Sequence, residues 1–491
     1  MLLVMGRAIS IVLNLATQVL CVRYLSKGDY GSFAYAIAMI EMLALLNTLG
    51  FDNSLPRFAA IYQQKKNARA FVGIVIFSFC LVVLLGLAFM GLGDLGVDYW
   101  SEWINANPLA VDLMLIMLVL APIQAIDALM QGLFGVFSGA RHIFLRQYIV
   151  RPVLRLAAVI FMIMSEGDST TLAIAYVVVG IGGVAVFLGA MVRVVSQSEL
   201  MKSWDKEIEY RMRETLMYNV PIMTSNLVFI FRSAMIVFLL EYFHNAHEVA
   251  DYQAVRPIGR LIELVLSNFA ILFIPAISRA FAAESREEIS QTYISTQIWI
   301  TLLSFPLFAL SFGFADILTP LLFGQEYVSA SEVLAWIALG FYIRIIFGLA
   351  MRTLKVLGHL RTVIAIDVVT LFFALFVCLW SIPAYGAMGA AIGALLTVVF
   401  HGLSGQIALY RLRKIGLWDR DSRGLYATVA TTVALLAALR WGFEVNPWIQ
   451  GLVAMMFAVI LIVVFRRHFA IARNFPELLP MLNSILARMK G

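Results

Sequence analysis

A chain of 491 residues that is 62% hydrophobic and 13% charged, with a mean hydropathy of +0.90, is too apolar for a soluble domain built around a buried core. Its net charge of +6 does not point to nucleic acid, because the excess base sits between long apolar runs, where it meets anionic lipid headgroups. Cys21, Cys80 and Cys378 stand singly in apolar segments, without disulfide or metal spacing.

A hydrocarbon core of roughly 30 Å takes about 20 apolar residues per helix. About fourteen such segments are predicted, starting near Met1, Gly31, Ala70, Ala110, Gln147, Thr171, Leu216, Val255, Gln291, Glu332, Thr362, Ala387, Gly424 and Pro447. Met1 to Tyr24 is too long and polar-striped for a cleavable signal peptide, so it is expected to remain as the first span.

Most Lys and Arg residues fall in alternate gaps: Gln63 to Arg69, Gly139 to Arg151, Arg193 to Arg213, Arg279 to Glu288, Gly358 to Arg361, Arg411 to Arg423 and the tail from Arg466. The intervening gaps carry acids such as Asp94, Asp98, Glu102, Glu166, Asp168, Glu241, Glu248, Asp251, Asp316, Glu326, Glu332 and Glu444. Arg23, Lys27 and Arg440 are the only bases there. By the positive-inside rule the basic gaps face the cytoplasm, and both termini lie on that side. Trp100, Trp103, Trp336 and Trp448 fall near the expected interfaces, as belt residues do.

The longest cytoplasmic connection, Val194 to Asn219, divides two similar halves. Pro56 and Pro275 each precede a basic loop. Gly139-Ala140-Arg141 closes the fourth span as Gly358-His359-Leu360-Arg361 closes the tenth, and both pairs are 219 positions apart. An even number of helices per repeat gives parallel halves. The expected division is an N-terminal lobe over residues 1–200, a linker 201–215, a C-terminal lobe 216–412, two further helices over 424–466 and a tail 467–491.

Polar residues follow helical faces inside several spans. Arg7, Ser10, Asn14 and Thr17 form one stripe, and Gln253, Arg256, Arg260, Glu263 and Ser267 another. Asn219, Asn226 and Ser233 repeat every seven residues beside Arg232, while Gln124, Asp127 and Gln131 form a shorter stripe. A charge at the bilayer centre costs roughly 2.5–3.5 kcal/mol on insertion scales, so these faces are expected to line a watery cavity. Arg7, Arg57, Arg232, Arg256, Arg260 and Arg344 are the candidate substrate-binding residues, with Arg155 also near a span interior. Glu41, Asp52, Asp127, Glu263 and Asp367 stand against them. Arginine keeps its charge when desolvated and its planar fork fits phosphate oxygens, so a diphosphate ligand is the expected chemistry. Each position has a plainer reading: Arg7 can snorkel to the headgroups, and Arg260 can neutralise Glu263 one turn away. Asp127 and Asp367 are candidates for ion coupling or, with more weight, for structural pairing with an arginine.

No Gly-Lys dipeptide is present, hence no Walker A loop, and no nucleophile elbow or paired zinc ligands occur. His244 and His247 lack further ligands nearby, so no metal site is expected. No cofactor and no enzymatic activity are expected either, since no outer loop is long enough to house a transferase.

The motifs Tyr24-Leu25-Ser26-Lys27-Gly28-Asp29-Tyr30-Gly31, Leu49-Gly50-Phe51 and Pro56-Arg57-Phe58 resemble the polysaccharide transporter branch, the O-antigen flippase type, of the multidrug/oligosaccharidyl-lipid/polysaccharide exporter superfamily. Leu322-Phe323-Gly324-Gln325-Glu326-Tyr327 and Ile382-Pro383-Ala384-Tyr385-Gly386-Ala387-Met388-Gly389-Ala390-Ala391 extend the resemblance along the chain. The resemblance implies an all-α polytopic membrane protein with two six-helix lobes around a central cationic cavity and two extra C-terminal helices. It also implies residence in the bacterial inner membrane and export of undecaprenyl-diphosphate-linked oligosaccharide, with cavity arginines in the first, second, seventh and eighth spans. Membrane lipid and lipid-linked oligosaccharide are the expected partners, together with polysaccharide polymerase and assembly proteins, and no nucleic acid. The alternative is a cation-coupled multidrug exporter of the same fold, for whose cationic cargo an arginine-lined cavity is a poor match. The chain departs from the family in lacking a basic N-terminal tail ahead of Arg7.

Overall fold

The computed structural model describes residues 2–95, 107–138, 144–417, 420–443 and 445–465. Asp98, Glu102, Trp100, Trp103, Gly139-Ala140-Arg141, Glu444 and the tail from Arg466 lie outside the described residues. The described chain is helical, without strands.

Twelve described helices are long and apolar enough to cross a membrane. One of them, Leu360–Arg413, is two spans folded about Gly386, whose φ of 55° and ψ of −132° interrupt the helix. Counting its halves separately and adding the shorter apolar stretch Ile9–Tyr24 gives the fourteen spans expected. The fold is that of an all-α polytopic membrane protein.

Helix starts on the acidic side are set by local chemistry. The Ser26 side chain accepts from the Asp29 N–H at 3.1 Å, and Asp168 from the Thr171 N–H at 2.9 Å. Asn107 and Asn446 cap helices whose first turns carry Pro108 and Pro447, where proline's missing N–H costs nothing. The Asp168 carboxyl is held below its ordinary pKa by the Thr171 N–H.

Three features depart from the expected elements. The second span breaks between Lys27–Thr48 and Phe51–Gln64, where Leu49 and Gly50 both adopt left-handed conformations with φ of 46° and 80°. Left-handed backbone ends a helix, and glycine adopts it without strain. The fourth span consists of Pro108–Met117 followed by Leu120–Phe137. Among the described residues the fifth span runs from Phe144, so Arg146 belongs to a span and not to the basic gap Gly139 to Arg151. Its first turns are a π-helix, Phe144–Val150, running into Arg151–Met164. Pro152 has no N–H for the carbonyl of Tyr148, which accounts for the widened turn ahead of it.

The chain packs as two compact units, one of Met1–Ala254 with Cys378–Ala390 and the other of Val255–Val377 with Ala391–Gly491. Within the first unit the resemblance motifs of the acidic turns converge. Lys27 pairs with Asp251 at 2.7 Å, Gln18 donates to the Gln253 carbonyl at 3.4 Å, and the Ala387 N–H donates to Glu248 at 2.6 Å. A ring nitrogen of His244 meets the Ile382 carbonyl at 2.7 Å. Gly31 explains its own presence in the motif: a Cβ there would sit 1.8 Å from the Ala246 carbonyl oxygen. Because a backbone atom cannot swing aside, Gly31→Ala is expected to destabilise the protein by about 1–3 kcal/mol, read as a lower unfolding temperature in detergent.

The linker of residues 203–211 folds back on the start of Ala68–Leu95. Arg69 binds Asp205 and reaches Glu207 at 2.5 Å, and Asn67 donates to Glu209 at 3.3 Å. Arg69→Ala is expected to free this linker, measured as faster trypsin cleavage at Lys206, Arg211 or Arg213. The Arg69 hydrogen bond holds the Asp205 carboxyl below its ordinary pKa. The latch is therefore complete above the ordinary aspartate pKa and weakens as pH falls through the lowered one.

In the second unit, Arg440 secures the penultimate helix. Its guanidinium reaches Asp316 at 2.8 Å, Glu332 at 3.0 Å and the Phe312 carbonyl at 3.3 Å, and only 4% of the side chain is exposed. This accounts for a lone arginine in an acidic gap.

Candidate functional site

The arginines fall into the set expected from the sequence and a set around a cavity of the first unit. In the first unit, Arg57 is exposed on Phe51–Gln64, its guanidinium 4.2 Å over the Tyr218 ring. Arg232 is half-buried on Met212–Phe243. Arg7 is half-buried on Leu2–Tyr24, ahead of the apolar stretch Ile9–Tyr24. The rest of its stripe closes on its own helix, with Asn14 donating to the Ser10 carbonyl at 2.6 Å and Thr17 to the Leu13 carbonyl at 2.8 Å.

In the second unit, Arg256, Arg260 and Glu263 lie on successive turns of Ala246–Ala282, with Arg260 exposed and the other two half-buried. Glu263 meets Arg344 at 3.2 Å, and Arg344 stands near the middle of the 27-residue span Ala330–Val356. Arg352, absent from the sequence-derived set, donates to the Leu266 carbonyl at 3.4 Å. Asp367 meets His401 at 3.0 Å, so the arginine expected beside it is replaced by a histidine from the neighbouring span.

The cavity set lies wholly in the first unit. Asp127, buried on Leu120–Phe137, is bound by the Nε and Nη2 of Arg146, which is buried as well. Arg146 also donates to the Gly183 carbonyl at 3.1 Å and stacks 4.1 Å from the Phe187 ring centroid. Gln131 donates to Asp127 at 3.4 Å, and Arg151 lies 3.7 Å from it. Asp127, Arg146 and Arg151 border a cavity of about 90 Å³ that Gln124, Arg155 and Tyr176 also line. One water needs about 10–15 Å³ by this measure, so the cavity admits several waters or a phosphate-sized group. Sequence reasoning missed Arg146 and Arg151 because both fall in a run read as a cytoplasmic loop. The signal that locates them is Pro152, which forces the irregular turn that carries Arg146 toward Asp127.

Long apolar helices with arginines inside several of them define a polytopic membrane protein. Its fold is that of the multidrug/oligosaccharidyl-lipid/polysaccharide superfamily. Lipid II flippase MurJ in an inward closed conformation superposes with a TM-score of 0.72 at 14% identity, over 95% of this chain and 99% of the other. An inward-facing multidrug resistance MATE family transporter of the MOP superfamily gives 0.69 at 14% identity, over 82% and 96%. The Vibrio cholerae MATE transporter VcmN in its bent form gives 0.50 at 18% identity, over 84% and 96%.

The family follows from the sequence match: residues 1–281 fit the polysaccharide biosynthesis protein family, and the chain belongs to it. Residues 221–380 also fit the MatE family. No curated protein matches the chain.

Proposed function

We propose that this chain is a flippase that moves undecaprenyl-diphosphate-linked oligosaccharide from the inner to the outer leaflet of the bacterial inner membrane. The observation that carries this reading is the state of the candidate arginines. Arg57, Arg232, Arg256, Arg260 and Arg344 all lie within candidate spans, yet none is buried. A guanidinium that is not buried within a span stays accessible to an anionic ligand, and its fork fits the oxygens of a diphosphate. Arg7 joins the set at the end of the first span. The family membership supports a polysaccharide cargo, and the fold supports transport.

In this reading the arginines replace the hydration that the diphosphate loses, and the polyprenyl tail stays in lipid. The cycle is alternating access, which needs a substrate affinity that differs between two conformations. Glu263, Asp367 with His401, and Asp127 are the groups available to tune or couple it. The duplicated halves meeting at residues 201–215, the cytoplasmic termini, the absence of enzymatic activity and an association with polymerase and assembly proteins belong to the same proposal. The second reading, a multidrug exporter, draws on the MatE match and the MATE-like fold, and arginines within the spans, a poor match for cationic cargo, argue against it.

The test is a strain lacking this chain. Accumulation of lipid-linked oligosaccharide on the cytoplasmic face, with loss of surface polymer and unchanged drug sensitivity, supports the flippase. Normal surface polymer with raised drug sensitivity supports the exporter instead.

A further inference from the structure

We propose that the arginine-lined cavity of the first unit is a separate binding site for one phosphate-class anion, held between Arg151 and Arg155. Neither Arg151 nor Arg155 is among the arginines on which the flippase reading rests, so this site stands whether or not that reading holds.

The charges that meet there do not balance. Arg146, Arg151 and Arg155 line the cavity with one acid, Asp127. Asp127 is engaged by Arg146 through two nitrogens and lies 3.7 Å from Arg151. Arg155 has no hydrogen-bond or ion-pair partner among the described residues. Glu41, exposed on the second span, acts on Arg151 electrostatically, and counting it still leaves an excess of positive charge. Arg155 lies near the middle of the 21-residue span Phe144–Met164, where an uncompensated cation is most costly.

The geometry suits an anion. Arg151 and Arg155 are one turn apart on Arg151–Met164, so their guanidinium groups share one face. They repel unless a dianion or monoanion lies between them. Gln124 and Tyr176 line the same cavity and carry side-chain donors for further anion oxygens. The volume fits a phosphate group. Two sources supply this chemistry, the phosphate of a lipid headgroup and free phosphate.

The test uses the full chain, delipidated in a maltoside detergent, with unfolding temperature as the readout. One arm adds inorganic phosphate against chloride at equal ionic strength, and the other adds short-chain phosphatidic acid against a neutral short-chain diacylglycerol. The site predicts a rise of several degrees in at least one arm; a rise with both assigns free phosphate, and a rise with phosphatidic acid alone assigns a headgroup. Arg155→Met is expected to abolish the response while leaving the ligand-free protein as stable as the wild type or more so, because it removes an uncompensated charge. Arg155→Lys keeps the charge, loses the fork and is expected to respond more weakly. No shift in either arm for the wild type, an undiminished shift in Arg155→Met, or an Arg155→Met protein that is less stable without ligand overturns the proposal.

Discussion

Asp127→Ala is expected to destabilise the protein by about 3–5 kcal/mol, the usual effect of removing one partner from a buried ion pair. Asp127 and Arg146 are 5% and 6% exposed, and Arg146 has no other acid within ion-pair distance among the described residues. Removing the carboxylate leaves a buried guanidinium with only the Gly183 carbonyl and the Phe187 ring. Replacing both partners by apolar residues of similar size, Asp127→Leu with Arg146→Met, is expected to recover most of the loss, since the charge needing compensation is then gone. Unfolding temperatures of the two single variants and the double variant in one detergent check this. A double variant less stable than either single one contradicts the assignment of the pair as structural.

The second large effect concerns transport. Arg344→Ala and Arg260→Ala are expected to lower export at least about 30-fold, because truncating one charged partner of a desolvated contact costs about 2–5 kcal/mol. Both variants should remain folded, since Arg260 is exposed and Arg344 half-buried. Export is read as protease-independent surface polymer together with accumulated lipid-linked precursor in cells. Arg440→Ala serves as a contrast: its guanidinium bridges Asp316 and Glu332, so it is expected to lower stability and protein level together.

The spans were legible because apolar runs near 20 residues have no other stable home. The breaks inside them were less so. A glycine in an apolar run, such as Gly50, is equally compatible with a continuous helix and with a left-handed interruption, and only the fold decides. Gly386 was readable as a turn because proline and tyrosine precede it in a motif between two spans. The polar stripes located Arg256, Arg260 and Glu263 on one helix, but the partner of Glu263 comes from a span about 80 positions away, beyond the reach of helical periodicity. Asp367 meets His401 for the same reason, across two neighbouring spans. Arg146 and Arg151 were hidden by the positive-inside rule itself, which assigns every clustered base near a span end to a loop. There the π-helical turn puts Arg146 inside the fifth span, ahead of the start expected near Gln147.

The measurement that tests the account most directly places the purified protein in liposomes with a short undecaprenyl-diphosphate oligosaccharide in one leaflet. An impermeant glycosidase reports its arrival in the other, with and without a proton or Na⁺ gradient. The account predicts transfer by the wild type that is lost in Arg260→Ala, with both proteins folded by size-exclusion profile. Wild-type protein that is folded yet transfers nothing under any gradient, or an Arg260→Ala variant that transfers at the wild-type rate, contradicts it.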